Sequence, residues 1–124
     1  MKIEKTPIKD LLIISPQIFN DERGYFFESY SERRFLEYGL SHKYVQDNES
    51  YSTYGTIRGL HLQKGDFAQT KLVRVIKGKV LDVALDLRKD SPTYGQHFSV
   101  ELSEENKKQF LVPKGFAHGF AVLS

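Results

Sequence analysis

A chain of 124 residues, 40% hydrophobic and 27% charged, suits one globular domain around one core and excludes disorder or a fibre. It contains no cysteine, which removes disulfides, thiolate metal sites and cysteine nucleophiles. The net charge of +2 is spread over scattered Lys, Arg, Asp and Glu, so no clustered basic face is offered to nucleic acid.

The apolar run at residues 11–14 is too short for a signal-peptide core or a membrane span. The expectation is a cytoplasmic protein with no membrane and no nucleic-acid partner. In chain order, short alternating or apolar runs punctuated by Gly, Pro, Asn and Ser predict strands at 11–15, 25–30, 44–50, 57–63, 71–76, 80–87, 98–102, 110–112 and 116–123. One helix of about two turns interrupts them, with Ser31 as N-cap and Gly39 as the stop. Lys77-Gly78-Lys79 reads as a tight hairpin, residues 91–95 as a longer turn, and Ser103 as the cap of a further turn reaching Asn106. Within 80–87, Leu81, Val83, Leu85 and Leu87 form an apolar face, while Val80, Asp82, Ala84 and Asp86 form a mixed one.

These elements predict a mainly β chain of two facing sheets, a sandwich or barrel in a single domain over 1–124. The last run ends without a closing turn or cap. The expectation is therefore a C-terminally truncated domain, or a sheet completed by a partner subunit.

Ionisable residues lie among small and aromatic ones in two of the predicted strands, around His61 and around His118. On strict alternation His61 and Arg58 point to opposite faces, and both reach one pocket only if the strand bends at Gly59. A lone histidine is often a half-buried, hydrogen-bonded residue. Here Lys71, Arg58, Gln46 and Asn48 are further polar groups that could converge with His61 on a concave site. His118 alternates with Phe116, Phe120 and Val122, which fits a satisfied core histidine as well as a binding residue. Arg23, in Asp21-Glu22-Arg23-Gly24, reads by itself as a solvated turn residue. Gln63 stands where metal-binding cupins carry a second histidine, and Asp66 is the one nearby carboxylate. That set is too weak for a metal site.

Longer stretches carry a resemblance. Asp21-Glu22-Arg23-Gly24-Tyr25-Phe26-Phe27-Glu28, Gln46-Asp47-Asn48-Glu49-Ser50, Arg58-Gly59-Leu60-His61-Leu62-Gln63, Lys71-Leu72-Val73-Arg74-Val75, Asp82-Val83-Ala84-Leu85-Asp86-Leu87-Arg88 and Pro113-Lys114-Gly115-Phe116-Ala117-His118-Gly119-Phe120, in this order, resemble dTDP-4-dehydrorhamnose 3,5-epimerases. The resemblance implies a cupin jelly roll lacking its C-terminal strands, and a homodimer in which N-terminal strands cross to the partner. It also implies an isomerase that uses neither metal nor other cofactor. Its substrate would be dTDP-4-keto-6-deoxyglucose, inverted at C3 and C5 on the way to dTDP-L-rhamnose for cell-surface polysaccharide such as lipopolysaccharide.

By the same resemblance His61 is the general base and Lys71 stands by the ketone oxygen. Arg23, Glu28, Gln46, Asn48, Arg58 and His118 contact the nucleotide sugar, Arg23 and Glu28 from the partner subunit. The family's catalytic tyrosine and the aspartate that orients its histidine align beyond Ser124, so none of the chain's tyrosines is carried over as the acid. Three other readings stay open: a monofunctional 3- or 5-epimerase, a nucleotide-sugar-binding fragment without catalysis, and a metal-dependent cupin oxygenase. Product stereochemistry, tight binding without proton exchange, and bound metal would distinguish them in turn.

Overall fold

The computed structural model describes residues 1–65 and 68–124, so Asp66 lies outside the described residues. Among the described residues ten strands and one helix follow in order as β1 (Lys2–Lys5), β2 (Leu12–Ser15), β3 (Phe19–Asp21), β4 (Gly24–Phe26), α1 (Glu32–Glu37), β5 (Ile57–His61), β6 (Lys71–Arg74), β7 (Lys79–Asp86), β8 (His97–Ser103), β9 (Gln109–Val112) and β10 (Phe116–Val122). Two four-stranded antiparallel sheets, ordered β1-β2-β9-β6 and β5-β10-β7-β8, face each other in the interleaved manner of a cupin jelly roll. Among the described residues no helix is long and apolar enough to cross a membrane.

Alternation decides what lies between the sheets. Leu11, Ile13, Phe110 and Val112 from one side meet Ala84, Leu102 and Phe116 from the other in a dry cluster. On the outer side of the first sheet, Ile14 and Leu111 bury Phe35 of α1. The helix starts as expected, with Ser31 Oγ accepting from the Arg34 N–H at 3.3 Å. Ser103 Oγ accepts from the Asn106 N–H at 2.9 Å, which bears out the second capped turn.

Three local expectations differ from what forms. Lys77-Gly78-Lys79 is a crossover and not a hairpin, because β6 and β7 belong to different sheets. Residues 44–50 take no regular structure, and 25–30 shrinks to a strand over Gly24–Phe26. Alternation reports side chains that point to opposite faces, but a strand also needs a neighbour to complete its hydrogen bonds. The third difference is that β1 and β3 were not foreseen. β1 extends the first sheet beside β2, and β3 pairs with β4 alone, making a two-stranded arm outside both main sheets, with Phe26 69% exposed.

On β7 the mixed face is the more deeply buried one. Asp82, Ala84 and Asp86 are fully buried, whereas Leu81 is 38% exposed on the other face. Asp86 is held by five donors: the N–H, Nε and Nη2 of Arg88 and the hydroxyls of Ser91 and Thr93. Arg88 continues to Asp10 Oδ2 at 3.0 Å and to the Lys9 carbonyl, so the network ties the N-terminal loop to the 91–95 turn.

Burial alone would raise the Asp86 carboxyl, but these donors outweigh it and hold the group well below its ordinary value of 3.8. Its contribution to stability is therefore complete above that value and is lost as pH falls through the folded-state range. Asp86→Ala leaves Arg88 without its buried partner and should cost about 3 kcal/mol in denaturant unfolding at neutral pH. The gap from the parent protein should narrow on acidification.

Candidate active site

The site begins with a bulge in β5. His61 pairs with His118 and Arg58 with Phe120, so three residue steps along β5 span two along β10. The extra residue brings Arg58 and His61 onto one face, as the glycine in this strand had suggested. Gly59 is required there. Its φ is +110°, and a Cβ would lie 2.6 Å from the Cα of Gly119 and 2.8 Å from the His118 carbonyl oxygen.

Rows across this sheet define its inner face. His61, His118, Ala84 and Phe98 form one row, and Arg58, Phe120, Asp82 and Val100 the next. Lys71 faces them from the opposite sheet, because it alternates with Val73 and stands opposite Val112, which lies in the cluster between the sheets. Its positive charge reaches the Asp82 carboxylate. β5 is a sheet edge, and His61 and Arg58 remain exposed at the mouth of this space, while Lys71 is half-buried.

His118 turns its Nε2 to Asp82 Oδ1 at 2.6 Å, with the two side chains 11% and 1% exposed. The Asp82 carboxyl is pushed up by burial and drawn down by the hydrogen bond and electrostatic pull of His118 and by the positive charge of Lys71, with burial the strongest influence. Asp82 was not singled out in the sequence. The available signal was a pair of carboxylates four residues apart on one face of a strand, which is unusual for a face turned inward.

The structure thus places His61, Arg58 and His118 on one sheet face and Lys71 on the facing sheet, with His61 and Arg58 exposed at the edge, and adds Asp82. Four expected binding residues lie elsewhere. Arg23, 92% exposed, pairs with Asp21 at 3.0 Å on the arm, and Glu28 pairs with Arg34 at 3.1 Å. Gln46 Nε2 donates to Asn48 Oδ1 at 3.3 Å on the exposed segment before β5. Arg58 Nε donates to Ser52 Oγ at 2.8 Å, which ties that segment to the pocket mouth. Surface depressions lined by Phe19, Arg23 and Tyr25, and by Phe27, Arg74 and Lys107, flank the arm and hold none of the pocket residues. Among the described residues no group of three His, Asp or Glu side chains is gathered to hold a metal ion.

A neutral imidazole beside a fixed cation can remove a proton from a carbon next to a carbonyl and hold the resulting oxyanion. The comparisons agree with that chemistry. The family model described as dTDP-4-dehydrorhamnose 3,5-epimerase matches residues 5–124. The dTDP-4-dehydrorhamnose 3,5-epimerase of Salmonella typhimurium is 54% identical, over 100% of this chain and 68% of the relative. The crystal structure of the enzyme of that name from Elizabethkingia anophelis is similar at 60% identity and a TM-score of 0.94, covering 100% of this chain and 68% of that one. The Legionella pneumophila dTDP-6-deoxy-D-glucose-3,5-epimerase, solved in complex with dTDP-4-keto-L-rhamnose, is 52% identical with a TM-score of 0.94, over 99% of this chain and 65% of its own.

Proposed function

Because the chain belongs to the dTDP-4-dehydrorhamnose 3,5-epimerase family, we propose that it takes protons from C3 and C5 of dTDP-4-keto-6-deoxyglucose and yields dTDP-4-keto-L-rhamnose. The observation that carries this reading is the β5 bulge, which sets His61 beside His118 on the inner face that Lys71 meets from the facing sheet.

The hydrogens on C3 and C5 are acidic because both carbons adjoin the C4 ketone. His61 accepts the proton, the C–H electron pair becomes a C=C bond, and the carbonyl π electrons move to O4. Lys71 donates to that oxygen and is already charged before the charge develops, so little reorganisation is needed. Return of a proton to the opposite face of the same carbon, from an acid not assigned among residues 1–124, restores the ketone and inverts the centre. His118 and Arg58 bind the nucleotide sugar in this scheme, and the planar guanidinium of Arg58 suits two diphosphate oxygens at once. Gln46 and Asn48, on the exposed segment before β5, contact the nucleotide sugar in the same scheme.

The two-stranded arm outside both main sheets, with Phe26 and Tyr25 exposed, supports a homodimer in which this N-terminal region reaches the partner's pocket and delivers Arg23 and Glu28. A cytoplasmic place in dTDP-L-rhamnose supply, feeding surface polysaccharide, completes the reading. Proton NMR of the product tests it. Inversion at both C3 and C5, at a rate unchanged by prior dialysis against EDTA, is expected. Inversion at one carbon contradicts the 3,5 assignment, and tight binding of the substrate without turnover contradicts catalysis.

A further inference from the structure

Strand β7 buries two aspartates four residues apart, and they are treated very differently. Asp86 has five donors. Among the described residues Asp82 has one, from His118, and its Oδ2 is buried with no hydrogen-bond partner. Its neighbours in the row are Phe120 and Val100, so on its own sheet His118 alone offsets the desolvation. The charged and titratable groups that face it are His118 on β10, Lys71 on β6, and His61 and Arg58 on β5. A buried carboxylate so poorly satisfied weakens the fold. Its burial also raises its proton affinity, so the cost to stability grows as pH rises through the folded-state range and persists above it.

We propose that Asp82 is a positioning residue for the epimerisation: it fixes the His118 proton on Nε2 and sets a negative charge within reach of the Lys71 ammonium. An ionised carboxylate can only accept, so it admits only the imidazole tautomer that carries the proton on Nε2. The other ring nitrogen, Nδ1, then keeps its lone pair, and His118 meets the sugar as an acceptor suited to a hydroxyl and not as a second donor. The same carboxylate offsets the cost of holding Lys71 charged in a half-buried place, which is the state the O4 oxyanion requires. Both effects act through other residues, and the role in the reaction rests on the function proposed above.

Asp82→Asn keeps the shape while removing the charge, and its amide can donate as well as accept. Nitrogen-15 NMR of the imidazoles across a pH titration should show, once the ring is neutral, the His118 proton on Nε2 in the parent protein. In the variant it should be on Nδ1 or shared between the two nitrogens. With dTDP-4-keto-6-deoxyglucose the variant should lose about tenfold or more in kcat while KM stays within about threefold. Its melting temperature should be unchanged or higher.

A His118 proton on Nδ1 in the parent protein overturns the proposal without reference to any variant or substrate. So does a variant that keeps full kcat, or one whose activity falls only because it unfolds. A parent protein inactive on this sugar would overturn the proposed function and with it Asp82's part in the reaction, whereas the tautomer would still report the Asp82–His118 contact.

Discussion

His61→Asn should slow the loss of C3 and C5 protons about a thousandfold, within the usual contribution of a positioned general base and equal to roughly 4 kcal/mol of activation free energy. Asparagine keeps a polar group at the mouth of the pocket but cannot accept a proton near neutral pH. His61 is exposed at the sheet edge, so the substitution removes no core contact and the melting temperature should stay within about 1 °C of the parent, as for most surface changes. Substrate affinity should change little. A fall in kcat and kcat/KM together, with KM steady, is the signature of a group that acts in the transition state. Titration calorimetry with dTDP, alongside the exchange rate, separates this outcome from a general loss of binding.

Lys71→Met should cost about 10² to 10³ in rate, the range seen when one donor to a developing oxyanion is removed. Methionine matches the length of the lysine stem and continues the apolar run of Val73 and Val112 around it, so the fold should tolerate the change. The ketone carries little charge in the ground state and a full negative charge as the enolate, hence the loss falls on kcat more than on KM. Asp82 becomes more costly in this variant because Lys71 no longer draws its carboxyl down. Lys71→Met combined with Asp82→Asn should therefore be more stable than Lys71→Met alone, measured by denaturant midpoint.

Much of this site was legible in the sequence because it depends on local rules. A glycine inside an apolar strand signalled the bulge that aligns Arg58 with His61, and alternation placed His118 with Phe116 and Phe120 on what proved to be the inner face. Ser31 and Ser103 announced their caps. Whatever depended on a distant partner was not readable. Lys77-Gly78-Lys79 has a hairpin's composition, yet its flanking strands find neighbours in separate sheets. Residues 44–50 alternate without any neighbour to pair with. Asp82 escaped notice for the same reason. In sequence it looks like the solvent side of an amphipathic strand, and only the opposing His118 and Lys71 show why a carboxylate is turned inward. Arg23 sits on the arm and Glu28 just after it, and the place of this region in an assembly depends on a second chain.

Deuterium exchange reads the shared first step of both inversions and isolates the role of His61 and Lys71 from that of the returning acid. Protein and dTDP-4-keto-6-deoxyglucose are combined in D₂O, and the C3 and C5 proton signals are followed by NMR for the parent, His61→Asn and Lys71→Met. The account predicts loss of both signals with the parent and near silence with the two variants. A folded parent that leaves both protons in place, or a His61→Asn protein that exchanges them at the parent rate, would contradict it.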